Sequence, residues 1–300
     1  MEKFAHSGEF YSLLSALTFS VGVILFRRSG ELAVSPIALN TFKNTTGLAL
    51  FLLTLLLVGH PLLPNHVSTG DWLLLLLSGA IGIALADSLF FMSLNRIGAG
   101  RSAIVNCLYS PVIILSAFLF LGEPVGTALL IAMALMASAI LVGTWNPKRV
   151  ESREELKQMR AGVIIGIFAI TTMAVGIVMA KPALNRTDPW WSATIRLVGG
   201  VAVLFVLLLK RNVRQDVLSA FRPGPVWRVT LPAAFIGTYM AMAFWIRGMT
   251  LTHTSIASVL NQLSNIFILI LATLILREHL TARKVAAIVM GVAAGIIAVL

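Results

Sequence analysis

Three ionisable side chains lie well inside apolar runs of this sequence: Lys43, Asp87 and Arg196. Hydrocarbon cannot solvate a charge, so such residues mark ion pairs, substrate contacts or proton relays. Two polar stripes accompany them. Ser102, Asn106, Tyr109 and Ser110 stand at i, i+4, i+7 and i+8, and Ser258, Asn261, Gln262 and Asn265 at i, i+3, i+4 and i+7. In a helix each set shares one face. Such a face either glues helices together through hydrogen bonds or lines a cavity for the polar end of a small molecule. Two stripes together favour the cavity. Phe90, Phe91, Tyr239, Phe244 and Trp245 stand ready as apolar walls for the rest of that molecule, or as plain packing.

Depth along the chain pairs two of the charges. At 1.5 Å per residue Asp87 lies about 22 Å into its apolar run and about 9 Å from its far end. Lys43 lies about 9 Å into the preceding run, which starts on that same side. The two therefore share a depth on consecutive helices, and a contact between them is expected, either ordering those helices or serving as a gate or proton-linked switch. Arg196 has no such acid. It is left to snorkel to the interface or to hold a substrate carboxylate, which a guanidinium fork suits.

Enzymatic alternatives lack their parts. His6, His60, His66, His253 and His279 all fall in loops or at helix ends, and Cys107 is the single cysteine. No His/Cys/carboxylate cluster has metal-ligand spacing, and there is no HExxH, G-x-S-x-G, P-loop or paired Asp-rich motif. No cofactor is expected. A membrane-embedded enzyme acting on a lipid or isoprenoid would have one buried acid and no evident nucleophile to work with.

The elements that must position these residues are apolar helices. Of 300 residues 58% are hydrophobic and only 12% charged, too little polar material to cover a soluble fold of this size. Ten stretches approach the roughly 20 residues needed to span a bilayer: 10–26, 37–58, 72–95, 102–121, 125–145, 161–180, 190–209, 226–248, 254–276 and 282–300. Met1–Glu9 is mixed in charge and runs into the first stretch without a small-residue cleavage site, so a cleaved leader is not expected. The net charge of +11 sits in connecting loops, which argues for membrane orientation and against nucleic acid.

The charged stretch 146–160 divides the chain into halves, 1–145 and 161–300, and the halves repeat. A shift of 153 places Ser35-Pro36 on Asp188-Pro189, Lys43 on Arg196 and Gly47 on Gly200. A shift of 155 places Gly82 on Gly237, Asn106 on Asn261 and Leu121-Gly122-Glu123-Pro124 on Leu276-Arg277-Glu278-His279. Five spans per half make the second half inverted. The reading is an all-α polytopic membrane protein, ten transmembrane helices in two inverted five-helix repeats around a central cavity, the architecture of alternating-access carriers. Segments after the first, third, fifth, seventh and ninth spans carry 17 Lys and Arg against 4 on the other side, so the linker is expected in the cytoplasm and both termini outside.

The stretch "ADSLFFMSLNRIGAGRSAIVNCLYSPVIILSAFLFLGEPV", with the matching Arg-Glu-His stop in the second half, resembles the EamA group of the drug/metabolite transporter superfamily. The resemblance covers the whole chain. It implies a plasma-membrane carrier, mostly an exporter, of amino acids and other small metabolites, with a cavity lined by the third, fourth, eighth and ninth helices. Multidrug export is its neighbouring alternative. It also implies cytoplasmic termini, where the charge count places them outside; the count is kept because it is read from this chain. The expected partners are a small-molecule substrate and the lipid bilayer, and a monomer suffices with both repeats on one chain.

Supporting features are expected at the ends and crossings. Pro111 removes a donor to the Cys107 carbonyl and should open the fourth span, and Pro232 does the same nearer the interface. Glu123 and Glu278 are expected to fix turns by capping the next helix or pairing with bases, Trp190-Trp191 to anchor at the interface, and Gly291-xxx-Gly295 to cross the fifth span.

Overall fold

Helix starts in the two halves are built alike. Ser35 accepts a hydrogen bond from the Ala38 amide with Pro36 at the first helical position, and Asp188 does the same for Trp191 with Pro189 beside it. Each satisfies a donor that the first turn leaves unpaired. Ser152 and Glu155 add a reciprocal capping box at the head of the second half.

The computed structural model describes residues 8–64, 67–121, 127–144, 152–251 and 254–297, and among them there is helix and turn but no strand. In chain order the helices are α1 Gly8–Glu31, α2 Pro36–Val58, α3 Thr69–Gly79, α4 Ala86–Asn106, α5 Tyr109–Leu121, α6 Thr127–Thr144, α7 Arg153–Leu184, α8 Pro189–Val206, α9 Arg211–Phe221, α10 Trp227–Ala234, α11 Ala241–Leu251, α12 Thr254–Ile275 and α13 Ala282–Ile297. Six described stretches are long and apolar enough to cross a membrane: Gly8–Glu31, Pro36–Val58, Thr69–Asn106, Arg153–Leu184, Pro189–Leu209 and Trp227–Gly248. Shorter apolar helices cover Pro111–Phe120 and Leu263–Ile275.

Several boundaries differ from the hydropathy pattern. The third and fourth apolar runs are joined through Gly98, whose φ of 78° and ψ of 170° suit glycine alone, so the second helical segment starts at Ala99. It breaks at Cys107 and Leu108, where Pro111 leaves a carbonyl unanswered. A helix, α9, occupies what reads as a basic loop. Its Val213, Val217, Ala220 and Phe221 face the base of α2, while Arg211 and Arg214 share the helix with them.

Two π-helical turns interrupt the long spans, at Ala80–Leu85 and Phe235–Met240. They coincide under the 155-residue repeat shift. Each is also where a repeat receives the first helix of the other. Helix α1 packs on α10–α12, and α7 packs on α3–α5. Both crossings are glycine on glycine: Gly22 of α1 against Gly237, and Gly176 of α7 against Gly82. A Cβ built on Gly22 would overlap the Gly237 backbone, and one on Gly176 would come 2.9 Å from the Gly82 Cα. Helix α1 is further tied across by Ser15 Oγ donating to the Ala241 carbonyl at 3.0 Å and Ser20 Oγ to Ser264 at 3.0 Å. Helix α13 packs on α6, as the glycine spacing in α13 anticipates; Gly295 itself lies outside the described side chains.

Candidate functional site

A cavity of about 50 Å3 sits where these crossings converge. Lys43 of α2, with Asp87 and Asn106 of α4, forms its polar wall. Phe19 and Phe26 of α1, Phe90 and Phe91 of α4, and Met173 of α7 form the apolar one, and Gly237 closes it from the second repeat.

Lys43 and Asp87 meet there at 2.6 Å, with only 9% and 16% of their side chains exposed. The ammonium has further company. It donates to Asn44 Oδ1 at 3.2 Å and lies 5.9 Å and 5.5 Å from the ring centres of Phe26 and Phe91. The rings add cation–π attraction in a place where water is scarce. Behind it, Asn44 donates to Asn40 Oδ1 at 2.6 Å, and the Asn40 amide donates to the carbonyls of Ile83 and Ala84 at 3.1 Å each and to Ser88 Oγ at 3.0 Å. Those carbonyls belong to the first π turn, whose wider ring leaves main-chain acceptors in need of a donor. The charged pair and the π turn are thus one network. Asn40 and Asn44 escaped sequence reasoning, although Asn40, Lys43 and Asn44 share a helical face as visibly as the stripes that were noticed.

Arg196 does not snorkel. Its backbone is pressed against Gly79, its Nε donates to Ser78 Oγ at 2.9 Å, and its guanidinium interacts electrostatically with Tyr109 and Asp87. The bundle interior holds it because Gly79, Gly199 and Gly200 let α8 and α3 touch backbone to backbone. Trp191 is likewise no interfacial anchor. It is 2% exposed, packs edge-on against Trp72 and donates Nε1 to the Leu62 carbonyl at 2.9 Å.

The stripes divide. Asn106 donates to Asn265 Oδ1 at 2.9 Å, joining α4 to α12 across the repeats. Asn261 is partly buried, and its Oδ1 has no hydrogen-bond partner among the described residues. Ser102 is buried, and Tyr109 packs beside Val105 and Ile170. The side chains of Ser110, Ser258 and Gln262 lie outside the described ones. Of the aromatic candidates, Phe90 lines the cavity. Tyr239 and Trp245 instead join a separate cluster with Phe51 and Leu197, and the Tyr239 hydroxyl bonds Thr54 Oγ1 at 2.7 Å. The sequence put all three on suitable spans without fixing which face of the span each would take.

The two ends of the bundle are tied across the repeats. At one end Glu278 caps the helical start beyond Gly98, accepting from the amides of Ala99 at 2.7 Å and Gly100 at 3.1 Å while pairing with Lys284 at 3.4 Å. The pairing with Lys284 is one of the two expectations for Glu278; the helix it caps belongs to the other repeat and not to the following element. Glu123, its counterpart, lies outside the described residues. At the other end Arg186 pairs with Asp71 and His60 lies 3.9 Å from Asp188. Gly98→Ala is expected to cost roughly 1–3 kcal/mol through its positive φ, and Glu278→Gln about 0.3–2 kcal/mol through loss of charge at a helix start. Thermal unfolding of the purified variants measures both, and an unshifted midpoint for Gly98→Ala would count against this backbone geometry.

Among the described residues no group of three His, Cys, Asp or Glu could hold a metal. What the site offers is charge, amides and aromatic surface around a small chamber, suited to binding. Comparison with known proteins agrees. Protein PecM of Dickeya dadantii (strain 3937) is 26% identical over 222 residues, 73% of this chain and 70% of that protein. A solved protein crystal structure superposes with a TM-score of 0.66 at 16% identity, covering 97% of this chain and 95% of its own, which speaks for the fold. The profile of the EamA-like transporter family matches twice, over residues 6–145 and 160–300. With both repeats accounted for, the chain belongs to the EamA-like transporter family and is an integral, multi-pass membrane transporter.

Proposed function

We propose that this transporter exports amino acids or related small metabolites by alternating access through the central cavity. The observation that supports the reading best is the polar chamber around Lys43, Asp87 and Asn106, at the glycine crossings of the two repeats in an otherwise apolar bundle. Carriers built from inverted repeats place their substrate sites at that interface. Asn106, Ser110, Asn261, Gln262 and Asn265 take the polar end of the substrate, and Phe26, Phe90 and Phe91 its side chain. Tyr109, Ser258, Tyr239 and Trp245 border the path. A chamber this small admits a metabolite only when the helices around it part, which rocking of halves 1–145 and 161–300 about the linker achieves.

The two cross-repeat ties, Glu278 at one end and Asp71–Arg186 at the other, are the contacts that open in turn. Lys43, Asp87 and Arg196 couple occupancy to that movement. The charge bias sets the linker in the cytoplasm, both termini outward, in the inner membrane, and the unit is a monomer. The family resemblance is what supports amino acids and export.

Uptake of radiolabelled amino acids into proteoliposomes tests this, with and without an imposed pH gradient. Saturable uptake above empty vesicles, competed by related amino acids, is the expected result. Stimulation by the gradient assigns Asp87 a proton-linked role, and indifference to it assigns facilitated diffusion. Absence of uptake across the panel would remove amino acids as substrates.

A further inference from the structure

The charges inside the bundle do not balance, and the imbalance has an address. Well inside the apolar runs, away from their ends, the chain carries Lys43, Arg196 and Asp87, two cations and one anion. Lys43 and Asp87 neutralise each other at 2.6 Å. Arg196 has a neutral hydroxyl, Ser78 Oγ, at 2.9 Å and, among the described residues, no carboxylate within ion-pair distance. Guanidinium does not shed its proton in proteins, so the charge persists. Nor can the side chain slide to the interface, because the Arg196 backbone is pinned on Gly79 and Ser78 is fully buried.

The guanidinium lies behind the Met173 side of the cavity wall. Its Nη2 lies over Gly82, 3.6 Å from where a Cβ there would stand, and the Met173 carbonyl is 3.9 Å from that same point. Met173 lines the chamber. A carboxylate that moves past Met173 approaches a forked donor whose hydrogen-bond partner, Ser78, is neutral and whose nearest acid, Asp87, is already paired with Lys43.

We infer that the transported species carries one net negative charge, an apolar or aromatic carboxylate whose charge answers Arg196 while Lys43 and Asp87 stay paired. The inference rests on the carrier reading above. A zwitterion brings a carboxylate but also an ammonium, leaving the interior one positive charge in excess. A cationic substrate leaves it two. Only a monoanion brings protein and cargo together to zero inside hydrocarbon, where each unmatched charge is costly. Phe26, Phe90 and Phe91 then cover the apolar remainder.

Three radiolabelled compounds of one shape separate the possibilities: N-acetylphenylalanine (net −1), phenylalanine (net 0) and phenylalaninamide (net +1), each offered to proteoliposomes of the full chain. Expected is initial uptake in that order, with the first exceeding the second by about tenfold, about 1.4 kcal/mol for the unmatched ammonium charge that phenylalanine brings into the bundle. Arg196→Gln is expected to flatten the ranking, and Arg196→Lys to keep the order with a smaller ratio, since the charge remains without the fork. Phenylalanine uptake equal to or above that of N-acetylphenylalanine overturns the inference and leaves the carrier reading standing, as does a ranking that survives Arg196→Gln. Uptake of none of the three, with none across the amino-acid panel, overturns both. Should Arg196→Gln fail to elute as a folded protein, the wild-type ranking together with Arg196→Lys decides.

Discussion

Asp87→Asn is expected to abolish transport and to destabilise the protein by roughly 3–5 kcal/mol, the usual result of removing one partner from a buried pair. The cost falls on Lys43, whose ammonium keeps Asn44 and two aromatic faces but loses the countercharge 2.6 Å away. Lys43→Met strands the acid instead and should be comparably damaging. The informative variant is the double replacement, Lys43→Met with Asp87→Leu. Apolar groups of similar volume in place of a buried pair are often neutral or stabilising, so its melting temperature should return to or exceed that of the parent. Transport should not return. Full recovery of uptake in the double variant would reduce the pair to a device that orders α2 against α4.

Gly22→Leu is expected to prevent assembly of the two repeats. Added volume in a packed core costs about 1–3 kcal/mol when side chains can adjust, but here the new atoms meet the Gly237 main chain, which has no rotamer to yield. The measurement is the yield of monodisperse protein on size exclusion, expected to collapse. The second crossing supplies an internal control of unusual sharpness. A Cβ on Gly176 would sit 2.9 Å from the Gly82 Cα, whereas a Cβ on Gly82 meets nothing nearer than 3.6 Å. Gly176→Ala should therefore lose folded protein where Gly82→Ala keeps it. Equal behaviour of the two would contradict the crossing described here.

How much of this was legible in the residues depends on the period of the signal. Hydropathy runs as long as a bilayer is thick, and depth counted at a constant rise, located the helices and brought Lys43 to Asp87. The repeat shifts matched Gly82 to Gly237 before their crossings were seen, and the family assignment agrees with both halves. What escaped involves departures from regular rise. The π turns add a residue to the ring, and no residue type announces them, so the grouping of Tyr239, on the second one, and Trp245, beyond it, with Phe51 and Leu197 was not foreseen. Glu278 reaches a helix start some 180 positions away in sequence, a partner that local capping rules do not search. The α9 helix was hidden by its arginines, although Val213, Val217 and Phe221 keep helical spacing through them.

The halves have also diverged where it matters. Asn40, which serves the carbonyls of the first π turn, is matched by Ala193, and Asp87 by Met242. In the second π turn the Thr238 hydroxyl has no partner among the described residues. Two conformations related by exchanging the roles of the repeats would be isoenergetic in a perfectly duplicated chain; in this one they differ by a carboxylate, an amide and a lysine in place of an arginine. On the alternating-access proposal, the resting population then favours one facing. Detailed balance still forces the ratio of maximal rate to half-saturation to be equal in both directions when no gradient is coupled. The divergence must therefore appear in the two constants separately: a tight, slow face and a loose, fast one, in a protein whose net flux at equilibrium is zero.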